Sequence, residues 1–117
     1  MRADIPSIPE DIRHMPSLFD PIRMGDLALP NRIVMAPLTR CRADETHTPT
    51  DLMCEYYEQR ASAGMILTEA TVIDPMAIGY PNTPGIWTEA HVAGWKKITD
   101  AVHAKGCLLY TSDAADE

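Results

Sequence analysis

Arg32-Ile33-Val34-Met35-Ala36-Pro37-Leu38 and Met65-Ile66-Leu67-Thr68-Glu69-Ala70-Thr71-Val72-Ile73 are two nearly continuous apolar runs. A strand with one wet face alternates apolar and polar residues; a strand covered on both faces does not. Both runs therefore read as strands of a parallel sheet, over 32–38 and 65–71. Pro37 has no N–H to give to a ladder, so the first strand ends there. Between the runs lie a polar loop, 39–47, and a helix start, Thr48-Pro49-Thr50-Asp51. Thr48 suits the N-cap, Pro49 the first helical position, and Asp51 the third residue after the cap. Leu52, Met53, Tyr56, Tyr57 and Arg60 or Ala61 then recur at helical spacing, and Gly64 offers a stop.

Outward from this core the pattern repeats. Residues 74–87 form a loop with three Pro and two Gly. Thr88 is a second N-cap candidate, and Glu89 suits the positive end of the helix it opens. Val92, Trp95, Ile98 and Val102 make one apolar stripe, with Lys105 in the last turn and Gly106 as the stop. Upstream, Leu18 to Met24, the turn signal Gly25-Asp26 and Leu27-Ala28-Leu29 predict a short hairpin. Residues 1–17 are Pro-bearing and aperiodic, and read as an extended leader without the apolar core of a secretory signal. The order hairpin, β, α, β, α predicts an α/β fold with a parallel sheet. Two strands and two helices leave a strand edge and a helix face uncovered, so the sequence reads as the front of a larger barrel or doubly wound sheet.

Composition narrows the function. The chain has 117 residues, 45% hydrophobic and 23% charged, with a net charge of −7. That balance is globular, and it argues against nucleic acid, which demands clustered Lys and Arg. No apolar run is long enough to span a membrane, which needs about 18–20 residues. Cys41, Cys54 and Cys107 are an odd, scattered set, matching neither a disulfide framework nor a zinc site. They read as free thiols of a reducing cytoplasm.

Four motifs, in order and at the right spacing over 18–106, carry a resemblance. They are Leu18-Phe19-Asp20-Pro21 with Gly25 and then 30–40 (Pro30-Asn31-Arg32 through Leu38-Thr39-Arg40); 56–64 with Thr68-Glu69-Ala70-Thr71; Gly79-Tyr80-Pro81-Asn82-Thr83-Pro84-Gly85-Ile86; and 95–103 from Trp95 to His103. Together they resemble the start of the old yellow enzyme family, flavin-dependent alkene reductases built on a TIM (β/α)8 barrel. The resemblance implies an incomplete barrel: an N-terminal hairpin capping its bottom, then the first two βα units. It implies FMN as cofactor, NAD(P)H as hydride donor, a small activated alkene as substrate, and no nucleic acid or membrane partner.

Residues 107–117 depart from that pattern. Cys107-Leu108-Leu109-Tyr110-Thr111-Ser112-Asp113-Ala114-Ala115-Asp116-Glu117 resembles a translated transposase sequencing adapter. The codons TGT CTC TTA TAC ACA TCT GAC GCT GCC GAC GAR reproduce the segment in order. The competing reading is a divergent third strand through Leu108, Leu109 and Tyr110. If the tail is foreign, Cys107 leaves the cysteine count and the net charge becomes −4 on removal of Asp113, Asp116 and Glu117.

In a barrel of this kind the reactive groups sit at the C-terminal ends of strands. The resemblance assigns Ala36, Pro37, Leu38, Thr39 and Ala70 to cofactor binding. Ala36, Pro37 and Leu38 supply shape and backbone amides, Ala70 a small residue closing from the second strand. The Thr39 hydroxyl donates to the pyrimidine side of the flavin and tunes its potential; on spacing alone it is a turn threonine. Tyr80 becomes a substrate-pocket aromatic. Glu69, a carboxylate inside an apolar run, reads as the buried partner of Arg32 or Arg40, because burying it unpaired is expensive. Tyr56 and Tyr57 read as packing. His14, His47, His91 and His103 lack metal spacing, and His91 and His103 read as surface or packing residues. The resemblance places the substrate-binding His/His or His/Asn pair and the proton-donating Tyr on later strands, so no catalytic residue is assigned here.

Three function classes follow: an ene-reductase of which this is the opening portion; a related flavin barrel such as a dienoyl-CoA reductase or amine dehydrogenase relative; and a non-enzymatic α/β fragment. The Leu38-Thr39-Arg40 form and the Gly79-to-Gly85 run favour the first.

Overall fold

The computed structural model describes residues 15–111. Most of the leader and residues 112–117 lie outside them. The hairpin pairs β1 (Ile22–Met24) antiparallel with β2 (Leu27–Leu29). Its two-residue turn puts Gly25 at φ +61, a conformation that glycine adopts without a Cβ penalty. Then come β3 (Val34–Met35), α1 (Asp51–Gln59), β4 (Met65–Thr68), a 3-10 turn (Pro75–Ala77), α2 (Glu89–His103) and β5 (Leu108–Thr111).

The second sheet has the order β3-β4-β5 and is parallel throughout, with Val34 opposite Met65 and Met65 opposite Leu108. The predicted parallel sheet is thus present, with shorter ladders than the apolar runs suggested. The first run, 32–38, pairs only at 34–35, and the second, 65–71, only at 65–68. Pro37 interrupts the first on the side where a ladder would continue.

Three further expectations are corrected. The N-cap of α1 is Thr50, not Thr48: its Oγ1 accepts from the Met53 amide at 3.4 Å. Thr48 instead gives its amide to Asp44 Oδ1 at 2.9 Å, closing the loop before the helix. Gly64 does not stop α1, which ends five residues earlier at Gln59. It lies against the chain leaving the hairpin, where a Cβ would overlap the Asn31 carbonyl oxygen. The Gly64 amide donates to Ile33 O at 2.8 Å, and Asn31 Nδ2 to Ser62 O at 2.8 Å, joining the starts of β3 and β4. Finally, Val92 is not in the buried stripe of α2. It is 54% exposed, and His91 takes its place beside Trp95, Ile98 and Val102.

The core lies between the sheet and the two helices. Met53, Tyr57 and Ala61 meet Ile66 of β4 and Trp95, Ile98 and Val102 of α2. Several of these have no exposed surface, and each large aliphatic side chain buried this way contributes about 1.5–3 kcal/mol. Cys107 is buried in the same core, and Leu109 packs against it. These residues of the segment resembling an adapter therefore occupy the third-strand position. The other side of the molecule is not covered: Ile33, Val34, Leu38 and Tyr110 are all 39–60% exposed.

Candidate functional site

The site builds from the ends of β3 and β4. The β3–β4 register runs from Val34 opposite Met65 to Met35 opposite Ile66, and residues 36–39 and Ala70 follow the C-terminal ends of these strands. The chain from 36 to 40 lies outside the strand ladder. Ala36 and Leu38 are exposed; Pro37, Thr39 and Ala70 are half-buried. The five residues assigned to cofactor binding thus come directly after the C-terminal ends of two adjacent parallel strands, the rim of the sheet. Tyr80 stands apart on the β4–α2 loop, 68% exposed.

That rim bears no ionisable side chain from 36 to 39. The adjacent carboxylate is held elsewhere. Glu69 is fully buried and forms an ion pair through Oε2 with Arg40 Nη2. Tyr57 Oη, from α1, donates to the same Oε2 at 2.7 Å and accepts from the Glu69 amide at 3.1 Å. Of the two partners considered for Glu69, the structure selects Arg40. The Tyr57 phenol is pushed well above its ordinary range, first by burial and then by the Glu69 charge. Arg40 also lies over the Tyr56 ring, 3.4 Å from its centroid, with Arg60 at 3.7 Å. Tyr56 and Tyr57 were legible as packing residues; the phenol that bonds Glu69 was not. Its signal was the helical spacing that puts Tyr57 on the buried face.

The loops above the strand ends are tied together. Val72 N donates to Pro84 O at 2.9 Å, Ile86 N to Val72 O at 2.9 Å, and Gly85 N to His47 O at 2.7 Å. His91, buried to 1% exposure, receives the Trp87 amide on Nδ1 at 3.3 Å and donates from Nε2 to Thr46 O at 2.8 Å. Because Nδ1 accepts, Nε2 carries the proton, and the ring bridges the β3–α1 and β4–α2 loops. Asp44 accepts from the Thr46 hydroxyl at 2.7 Å, which, with the Thr48 amide, holds its carboxyl below the usual range. Sequence spacing gave no sign of the His91 bridge, because its partners are a loop carbonyl and a loop amide.

These features fit a flat, largely apolar ring with one polar edge. Ala36, Pro37 and Ala70 carry small apolar side chains, and Thr39 carries a hydroxyl. The carboxylate next to Ala70, that of Glu69, is committed to Arg40 and Tyr57. The parallel β-α-β-α-β order defines a class: the opening wall of a (βα)8 barrel.

Within that class the chain belongs to the NADH:flavin oxidoreductase / NADH oxidase family, whose pattern matches residues 17–112. It is 51% identical over 98 residues to chanoclavine-I aldehyde reductase of Penicillium roqueforti, covering 82% of this chain and 27% of that protein. The old yellow enzyme homologue of Zymomonas mobilis superimposes with a TM-score of 0.77 at 56% identity, over 82% of this chain and 27% of the other. Morphinone reductase in complex with tetrahydroNAD gives a TM-score of 0.77 at 55% identity, over 83% and 26%. The chain therefore spans about a quarter of the length of these relatives. The barrel wall expected from the resemblance is the fold observed. Among the described residues, no helix is long and apolar enough to cross a membrane.

Proposed function

We propose that this chain is the first wall of an FMN-dependent oxidoreductase that moves a hydride from NAD(P)H to an activated alkene. The observation that supports the reading is the family match over residues 17–112, together with the parallel pairing of β3 and β4, whose C-terminal ends lead into residues 36–39 and Ala70. FMN, when bound, would accept the hydride from the nicotinamide and pass it to the alkene. Ala36, Pro37 and Ala70 would hold the ring by shape, and the backbone N–H groups of Ala36, Leu38 and Thr39 would face its edge. Thr39 would donate its hydroxyl to the pyrimidine side, favouring the electron-rich form. Tyr80 would border the substrate. The phosphate site of such barrels is built by the loops after the seventh and eighth strands, so its residues lie outside this segment. We place the protein in the cytoplasm on its free thiols.

The test is to purify the complete barrel carrying this segment. A yellow protein with stoichiometric FMN, whose oxidation of NAD(P)H under anaerobic conditions depends on an activated alkene, is the expected result. A colourless protein that binds no added FMN would overturn the reading.

We also propose that codons for 107–117 come from a sequencing adapter. The exact residue run supports it; the family match reaching residue 112 and the formed β5 weigh the other way. Nucleotides after the Gly106 codon decide: coding sequence that diverges from the adapter would sink the idea.

A further inference from the structure

The Arg40–Glu69–Tyr57 cluster ties together the backbone on either side of the rim. Arg40 follows Thr39 directly, and Glu69 precedes Ala70 directly. The ion pair therefore joins the segments that follow β3 and β4 at the residues next to Thr39 and Ala70. Glu69 is a hub. Its amide donates to Tyr57 Oη, its carbonyl accepts from Thr68 Oγ1 at 3.2 Å and Thr71 Oγ1 at 3.1 Å, and its Oε2 holds Tyr57 and Arg40. Every polar group of this residue except Oε1 is engaged, which fixes the plane of the peptide leading into Ala70.

This arrangement makes little sense as a source of stability alone. A buried ion pair gives up hydration on both partners, and an apolar pair of the same shape often stabilises as well or better. What it supplies is a fixed distance and orientation. A ligand-contacting rim needs support from residues whose own positions are locked by packing and hydrogen bonds. Arg40 is locked by Tyr56 and Arg60 stacks on the same ring, while Tyr57 is anchored in the core.

We propose that Arg40, Glu69 and Tyr57 are positioning residues for the flavin rim, setting the gap between Thr39 and Ala70 that receives the cofactor. The inference rests on the FMN reading above. In the complete barrel, Tyr57→Phe removes only the hydroxyl, and Glu69→Gln removes only the charge. Each variant should stay folded by circular dichroism yet bind FMN about tenfold more weakly, the lower end of the range known for residues supporting bound metals. Its flavin midpoint potential should also shift. Arg40→Gln combined with Glu69→Gln, a neutral hydrogen-bonding pair, should recover part of the FMN affinity lost in Glu69→Gln alone. A structural role would lower Tm and leave the affinity and potential of the folded protein unchanged; that outcome overturns the proposal. If Glu69→Gln does not fold, Tyr57→Phe decides by the same two readouts. Failure of the unmodified barrel to bind FMN would instead overturn the functional reading.

Discussion

Glu69 brings a negative charge to a place without water, and the residues around it answer that charge one by one. The expectation that it needs an arginine came from the cost of burial alone, and Arg40 meets it. Its second partner, Tyr57, needed the fold, because a helix and a strand twelve residues apart must be brought face to face. Tyr57 has a consequence for pH. Its folded phenol ionises above the unfolded value, so the native state holds the proton longer. The corresponding stability is fully present below the unfolded tyrosine pKa, about 10, and is lost as pH rises beyond it. Thermal melts of the complete barrel should therefore fall more steeply above that pH in the wild type than in Tyr57→Phe. Thr39 carries the site prediction. Thr39→Ala should leave FMN bound and lower its reduction potential. Reduction by NAD(P)H should slow and hydride delivery to the alkene speed up, as read by stopped-flow on both half-reactions. A hydrogen bond to a charged group is worth about 1.5–3 kcal/mol, but only its difference between oxidised and reduced flavin enters the potential. Unchanged half-reactions would reduce Thr39 to a turn residue.

At the scale of elements, apolar runs and caps were legible and their limits were not. The two strands and two helices fall where periodicity puts them, because burial of apolar side chains dictates that spacing. Ends are set by single hydrogen bonds, which periodicity does not encode. Thr48 and Thr50 are both capping residues by type; Asp44, four residues before Thr48, occupies the first and leaves the second to cap α1. The same holds for α2, where His91 displaces Val92 from the buried face because its ring bonds two loops. Ile98→Ala and Val92→Ala test this assignment directly. Ile98 has no exposed surface, and its truncation should cost about 2–5 kcal/mol. Val92 is 54% exposed and should change stability by about 0.5 kcal/mol or less. Chemical denaturation of the complete barrel measures both, and equal losses would return Val92 to the core.

For the whole molecule, the decisive fact is a parallel sheet open at both edges, β3 and β5. A barrel abolishes such edges by closing, and the described residues hold three of the strands. Expressed alone, the 117-residue chain should aggregate or remain molten. Dispersed amide resonances together with a cooperative unfolding transition would contradict this. The barrel class was readable from strand order and from motifs, whereas the covering of Val34 and Leu38 was not, since their partners belong to other strands. The open edge of β3 also imposes an order of events in the cell. The ribosome adds about 5–20 residues per second, so an unpaired β3 edge must wait many seconds for its neighbour in a barrel several times this length. During that interval the nascent chain displays Ile33, Val34 and Leu38 to solvent, and a holdase chaperone that binds extended apolar segments would find its first foothold there.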